Sequence, residues 1–427
     1  MSLQNSWLHS WRARRAKDEG RSAVTNQRNP LQGITVLDLG QIYNGPYATF
    51  LMGMAGARVI KIEPLEGESM RQRTLIGGAA LPFAMLNSNK QAVTLNLKTR
   101  RGREILLDMA RRADVLLENF LPGKLDKLGI GYEVLREANP RLIMASGSGY
   151  GSTGPYREYP AMDISIQAMS GAMSVTGFPD GPPTKIGPAL CDFSAGVHLY
   201  GAVVTALYER EKTGHGQRVE VAMLDAIYFS LASSLGLYFA SGNYGGAVNF
   251  EQRTGNTHSG RASAPYSVYQ VKDGYIAILC TNNKHWVSLA KVMGREDLAA
   301  DPRFDSAKKR ATLSEEVDRI VGEYAAQYKR DELFAILSPH HIPCAPVRDL
   351  AEITNDRHLH ERGMLEWMEH PQYGRIAAAR SPLRFENQEL AKLKPSAELG
   401  ENNDEVYGEW LGISKEELAA LKADNVI

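Results

Sequence analysis

The amino-acid sequence predicts an α/β protein, with a doubly wound parallel-sheet large domain joined to a smaller α+β domain. Three observations predict this. Through the first half, short apolar runs alternate with amphipathic stretches at helical spacing, the pattern of βαβ units. Two glycine-rich segments follow, where open α/β sheets place their ligands beyond strand ends. Beyond about residue 228 the texture changes to a hairpin followed by charged helical stretches. A length of 427 residues fits two to three domains. The expected boundaries are a basic tail over 1–29, the N-terminal part of the large domain over 30–225, the small domain with linkers over 226–345, and a C-terminal segment over 346–427 that returns to the large domain.

The first strand is expected at 34–39, followed by a turn-prone stretch from Gly40 to Gly45. Pro46 suits the first turn of a helix that carries Phe50, Leu51 and Met54 to Gly56. Residues 58–63 read as the second strand. Thr99 starts a helix whose Ile105, Leu106, Met109, Ala110 and Ala113 share one face. Strands follow at 114–120 and 141–145, then the glycine-rich segments 146–155 and 171–188. A long helix is predicted from Asp192 to Lys212, stopped by residues 213–216 (TGHG), with a strand at 217–222. In the second half, 266–279 alternates like a hairpin around Asp273-Gly274, and 284–338 is helical. Residues 391–427 read as a polar loop and one or two terminal helices.

Lys plus Arg and Asp plus Glu both number 49, so the net charge is zero. This excludes the basic footprint of a general nucleic-acid binder. Cys191, Cys280 and Cys344 are too few and scattered for a disulfide framework or zinc cluster, and the odd count fits a reducing, cytoplasmic setting. Residues 226–250 are uncharged, rich in Ser, Gly, Asn and Tyr, and read as a buried helix and loop; no membrane partner is expected. The tail carries Arg12, Arg14, Arg15, Lys17, Arg21 and Arg28 with Trp7, Leu8 and Trp11. It reads as a frayed basic tail, with a mitochondrial transit peptide as the alternative.

The familiar catalytic motifs are missing. The first βα turn, residues 40–45 (GQIYNG), lacks two of the three glycines of a dinucleotide fingerprint, so Glu63 reads as an ordinary strand-end carboxylate. The close histidine pairs, His340-His341 and His358 with His360, have no partners at a ligand spacing, and no metal is expected. No G-x-S-x-G elbow is present. Asp192 opens a predicted helix behind a glycine- and proline-rich loop. The residue alone favours an N-cap, although a carboxylate there could also act as a nucleophile. Lys98, Asn119, Phe120 and Lys127 could offer cations to phosphates and an aromatic face to a base, or be solvated lysines beside a core phenylalanine.

At these residues the chain resembles the class III CoA-transferases, the family of formyl-CoA transferase and carnitine CoA-transferase. The resemblance rests on residues 33–38 (GITVLD), 56–63 (GARVIKIE), 89–90 (NK), 113–120 (ADVLLENF), 176–183 (TGFPDGPP), 189–192 (ALCD), 213–217 (TGHGQ) and 342–347 (IPCAPV), in order and spacing. It covers nearly the whole chain from about Leu31. It implies an interlocked homodimer whose large domain combines the N-terminal half with the C-terminal residues. It implies Asp192 as nucleophile, and CoA contacts at Leu95, Lys98, Asn119, Phe120, Leu121 and Lys127, with Tyr43 and Asn44 lining the thioester end. CoA and its thioesters enter as substrates, with no tightly bound cofactor, and the partners implied are an acyl-CoA donor and a carboxylic acid acceptor.

Departures qualify the resemblance. Pro64 stands where formyl-CoA transferase has an arginine, which shifts a phosphate contact to Arg71 or Arg73. Tyr43 replaces that enzyme's glutamine, and the closest stretch to its glycine-run loop is 255–260 (GNTHSG). These differences argue against formate and oxalate as substrates. The alternatives are an α-methylacyl-CoA racemase on the same fold, which Met162 in place of a histidine disfavours, and a non-catalytic acyl-CoA-binding protein.

Overall fold

The computed structural model describes residues 29–72, 81–242, 250–260, 262–386, 388 and 391–427. The tail expected over 1–29 lies, but for Asn29, outside them, as does Arg73. Six parallel strands form the central sheet: β1 (Thr35–Asp38), β2 (Arg58–Glu63), β3 (Gln91–Thr94), β4 (Val115–Glu118), β5 (Ile143–Ser148) and β6 (Arg218–Ala222). Their order is β3-β2-β1-β4-β5-β6, the doubly wound arrangement expected. The order reverses between β1 and β4, and such switch points open a crevice at the carboxyl ends of the strands. β3 escaped the sequence reading, because only four residues alternate there between a helix and a loop.

Alternation within the strands builds one core on each face. Leu37, Ile60, Ile62, Val93 and Leu116 point to one side, where they meet Ile105, Leu106 and Met109 of helix Arg100–Ala110. Thr99 caps that helix by accepting from the Gly102 N–H, as a threonine N-cap should. Val36, Val59, Val115 and Ile143 point to the other side, against Ala48 and Met52 of α1 (Asn44–Met54) and Leu199, Val203 and Leu207 of α2 (Leu190–Thr213). Residues from the far end of the chain join the first core: Val406, Tyr407, Leu418, Val426 and Ile427 are buried in it. β3 lies at the sheet edge, and its Ala92 and Thr94 N–H groups donate to the side chains of Asn402 and Asn403, both at 2.9 Å.

A second core packs around a three-stranded antiparallel sheet of β7 (Tyr266–Val271), β8 (Gly274–Leu279) and β9 (Cys344–Pro346). The hairpin pairs Val271 with Gly274, so it turns at Lys272-Asp273, one residue before the expected place. The helical stretch over 284–338 is five helices, beginning with Asn283–Val292 and ending with Arg330–Leu337. They bury Trp286, Phe304, Val317, Val321 and Leu333. A further hairpin, β10 (Leu365–His370) with β11 (Gly374–Ala379), was not anticipated.

One expectation fails outright. Residues 226–250 were expected to contain a buried helix, yet helix Ala232–Ala240 buries none of its residues. Tyr228, Phe229, Tyr238 and Phe239 are exposed, Phe229 at 80%. Ala226, Ile227 and Leu231 are buried, and residues 243–249 of the segment lie outside the described residues.

Candidate active site

The loop leaving β1 sits at the switch point and is held from several sides. The Gln41 N–H donates to Asn119 Oδ1 at 2.7 Å, and Asn119 Nδ2 donates back to the Gln41 carbonyl at 2.8 Å. Asn119 follows β4, so these two bonds lock the loops on either side of the switch point together. Lys61 Nζ donates to the Gly40 carbonyl at 2.7 Å. Ile42 has φ of 65°, a left-handed conformation that is rare for a β-branched residue and costs about 1–3 kcal/mol. The surrounding bonds hold it there.

Beneath the loop lies a buried ion pair. Lys90 Nζ donates to Asp38 Oδ2 at 2.9 Å, and also to the Pro46 carbonyl, Thr49 Oγ1 and Asn87 Oδ1. Asp38 Oδ1 accepts from the Gly40 N–H at 2.8 Å. Burial acts to raise the Asp38 pKa, but Lys90 and Lys61 together hold it below the ordinary value. Burial brings Lys90 down to about 8, with Asp38 opposing. Asn89, just before it, bonds the backbone of Lys392 and Lys394. The Asn-Lys pair at 89–90 is therefore structural: one residue ties down a distant segment and the other neutralises Asp38.

α2 supplies the second wall. The helix begins at Leu190 with Ala189 at its N-cap, and no side chain of its own caps it. Asp192 is the third helical residue, so the N-cap reading of Asp192 is overturned. The capping oxygen comes from Asp163, at the start of helix Asp163–Met169, whose Oδ1 accepts from the N–H groups of Cys191 at 2.8 Å and Asp192 at 3.3 Å. This substitutes for a local cap by satisfying orphan donors at a helix start. Asp192 is thereby freed from capping. The residue is 8% exposed and lines a cavity of about 110 Å³. Burial first, and the like charge of Asp163 second, push its pKa up to about 7, against a backbone contact from Asn44. The lining of that cavity, with Gln41, Asn44, Asn119, Gly147 and Met162 among its residues, contains no cationic side chain.

A larger outer cleft of about 360 Å³ adjoins it, and Gln41 lines both. Its walls include Pro64, Leu65, Leu95, Lys98, Phe120 and Lys124. Lys124 Nζ lies 4.0 Å from the centre of the Phe120 ring, a cation–π distance. The outer cleft thus carries Lys98 and Lys124 together with Glu63, Glu66 and Glu68, and Gln41 stands between it and the cavity of the buried carboxylate.

The sequence profile described as CoA-transferase family III matches residues 31–403. The chain belongs to this family. It is 36% identical over 412 residues to a formyl-CoA:oxalate CoA-transferase of Streptomyces avermitilis, covering 93% of this chain and 99% of that one. It is 39% identical over 342 residues to an acetyl-CoA:oxalate CoA-transferase of Acetobacter aceti, covering 79% and 86% of the two chains. A CAIB/BAIF family protein from Brucella suis has a similar solved structure, with a TM-score of 0.78 at 34% identity, covering 90% of this chain and all of the other.

Within this family III CoA-transferase, the residues singled out from the sequence separate into groups. Asp192, Asn44 and Asn119 line the inner cavity, while Leu95, Lys98 and Phe120 line the outer cleft. Tyr43 is half-buried and stacks on Phe193 of α2, ring centres 5.6 Å apart. Leu121 and Lys127 are exposed and line neither space. Lys124, one helical turn before Lys127, takes the place at the cleft. Arg71 does not serve as a free phosphate ligand: its guanidinium bonds Glu63 at 2.8 and 3.0 Å and the Ala397 carbonyl, and lies over Phe83. The sequence reading missed Asp163 and Lys124. Neither stands out locally, since a cap reaching 28 residues along the chain has no spacing signature.

Proposed function

We propose that this transferase moves CoA from an acyl-CoA donor to a free carboxylic acid, with Asp192 as the nucleophile. The observation that carries this reading is a buried carboxylate released from capping duty, lining a cavity beside the outer cleft. An oxygen of Asp192 attacks the thioester carbon and CoA leaves as the thiolate, giving an aspartyl–acyl anhydride. The thiolate then attacks the aspartyl carbonyl of the anhydride, releasing the donor acid and leaving an aspartyl–CoA thioester. The acceptor carboxylate repeats these steps in reverse. Each step exchanges activated acyl groups, so no redox change occurs.

Lys98 and Lys124 at the mouth suit the phosphates of CoA, and Pro64, Leu65 and Phe120 offer apolar surface to its adenine or pantetheine. A cavity of about 110 Å³ around Asp192 suits a short acyl group. The names of the relatives bring oxalate into consideration, whereas Tyr43 and the missing glycine run argue against it. The acceptor class we assign is therefore a short mono- or dicarboxylic acid. Racemisation is disfavoured because the Met162 thioether beside Asp163 cannot carry a proton. We also propose a homodimer, supported by the exposed rings of Tyr228 and Phe229.

The test incubates the protein with acetyl-CoA or succinyl-CoA and a panel of acids including oxalate, and reads products by mass spectrometry. Hydroxylamine should convert Asp192 to its hydroxamate, and borohydride should reduce the aspartyl thioester. Absence of both adducts, with no CoA exchanged to any acid, would remove the reading.

A further inference from the structure

Asn44 is buried to 2% exposure, and among the described residues neither Nδ2 nor Oδ1 of its carboxamide has a hydrogen-bond partner. The other asparagines nearby have partners. Asn119 spends both ends on the Gln41 backbone, and Asn87 bonds the Phe83 carbonyl and Lys90. A buried polar side chain without partners calls for an explanation in a native protein. The position is built around it. A Cβ on Gly147 would lie 2.8 Å from Asn44 Oδ1 and 3.3 Å from Nδ2, so a larger residue at this place in β5 would push the carboxamide aside. Both residues line the cavity that holds Asp192.

The chemistry proposed above makes a specific demand there. Attack by Asp192 moves the carbonyl π pair of the thioester onto oxygen, so the charge that Asp192 brought comes to sit on that oxygen, beside the remaining carboxylate of Asp163. No lysine or arginine lines the cavity to meet it. We infer that the Asn44 carboxamide is the side-chain donor for this oxyanion, a catalytic role that rests on the Asp192 reading. Nδ2 donates to the acyl oxygen as it gains charge. Collapse of the tetrahedral intermediate returns the electron pair to the C–O bond and expels CoA thiolate. A neutral donor suits this place, because a cation would pair with Asp192 and blunt its attack.

The test compares the unaltered protein with Asn44→Ala and with Asn44→Leu, which has similar bulk and no donor. Single-turnover acylation by acetyl-CoA should slow by about 10²–10³-fold, the usual effect of deleting one oxyanion donor. Affinity for free CoA should stay within twofold, and the unfolding temperature should hold or rise, because no bond within the protein is lost. Unchanged acylation in both variants would overturn the proposal. So would a slowing matched by an equal loss of CoA affinity or a marked fall in unfolding temperature, since either marks a structural role. If the unaltered protein forms no acyl adduct at all, the Asp192 reading falls and this one with it. An adduct in the unaltered protein with unaffected variants would remove only the role of Asn44.

Discussion

Two buried carboxylates at this site, Asp38 and Asp192, are built in opposite ways. Asp38 is surrounded by donors: Lys90, Thr49 and the Gly40 N–H bond it directly, and Lys61 adds charge. Asp192 has a second carboxylate for a neighbour and no cation in its cavity. The first arrangement holds a proton off tightly and fixes a loop. The second leaves an anion poorly solvated and eager for an electrophile. Burial is the same in kind at both places, so what separates scaffold from reagent is the set of partners.

Replacement at the two positions should therefore diverge. Asp192→Asn is expected to lower transfer by about 10³-fold or more, as loss of a covalent nucleophile does, while steady-state assays still register CoA as a competitive ligand. Near-normal turnover, with the amide shown intact by mass spectrometry, would erase the distinction. Asp38→Asn should instead cost stability, by about 3–5 kcal/mol, because Lys90 is left buried without its counter-charge. Chemical denaturation would measure it. A stable Asp38→Asn protein would mean that the pair contributes little.

Stability against pH separates them further. The pKa of Asp192 is raised to about 7 from an ordinary 3.8, so the folded state holds a proton that the unfolded chain has released. Its penalty is absent below about pH 4, grows between pH 4 and 7, and is constant above. Asp192→Asn should accordingly stabilise the protein at pH 8, by on the order of 2–4 kcal/mol at about 1.4 kcal/mol per unit, and have little effect at pH 4. Asp38, held low, has the opposite sign: its contribution is present at neutral pH and lost in acid. By the same reasoning kcat/KM should fall below about pH 7, and Asp163→Asn should move that break lower by removing a like charge. The smallest effects belong to the mouth of the cleft. Lys98→Ala and Lys124→Ala should each raise KM for acyl-CoA by about three- to tenfold at low salt and less at high salt, with kcat unchanged. Lys127→Ala should do less than either.

How much of this was legible follows the range of the contacts. β1, β2 and the helix from Thr99 announce themselves through local alternation and a local cap. The position of Asp192 near a helix start was legible too, but its role needed the resemblance, since an aspartate there is ordinarily a cap. Its release from capping depends on Asp163, 29 residues earlier, and no periodicity encodes that. Arg71 looked available because its partner Glu63 and the Ala397 carbonyl come together only in the folded chain. The uncharged stretch from 226 was read as a buried helix and loop; Ala226, Ile227 and Leu231 are buried, whereas Tyr228 and Phe229 are exposed.

The edge of the central sheet has a consequence for biosynthesis. The side chains that seal β3, Asn402 and Asn403, are made 310 and 309 residues after the N–H groups they satisfy. At a synthesis rate of about 5–20 residues per second, that separation amounts to roughly 15–60 s. Throughout that interval the emerging sheet presents an open row of backbone donors, which is a template for pairing with another chain. The first half of this protein can therefore be translated, but not closed, until its last residues leave the ribosome, and messages truncated before residue 402 should yield aggregates rather than a smaller folded domain.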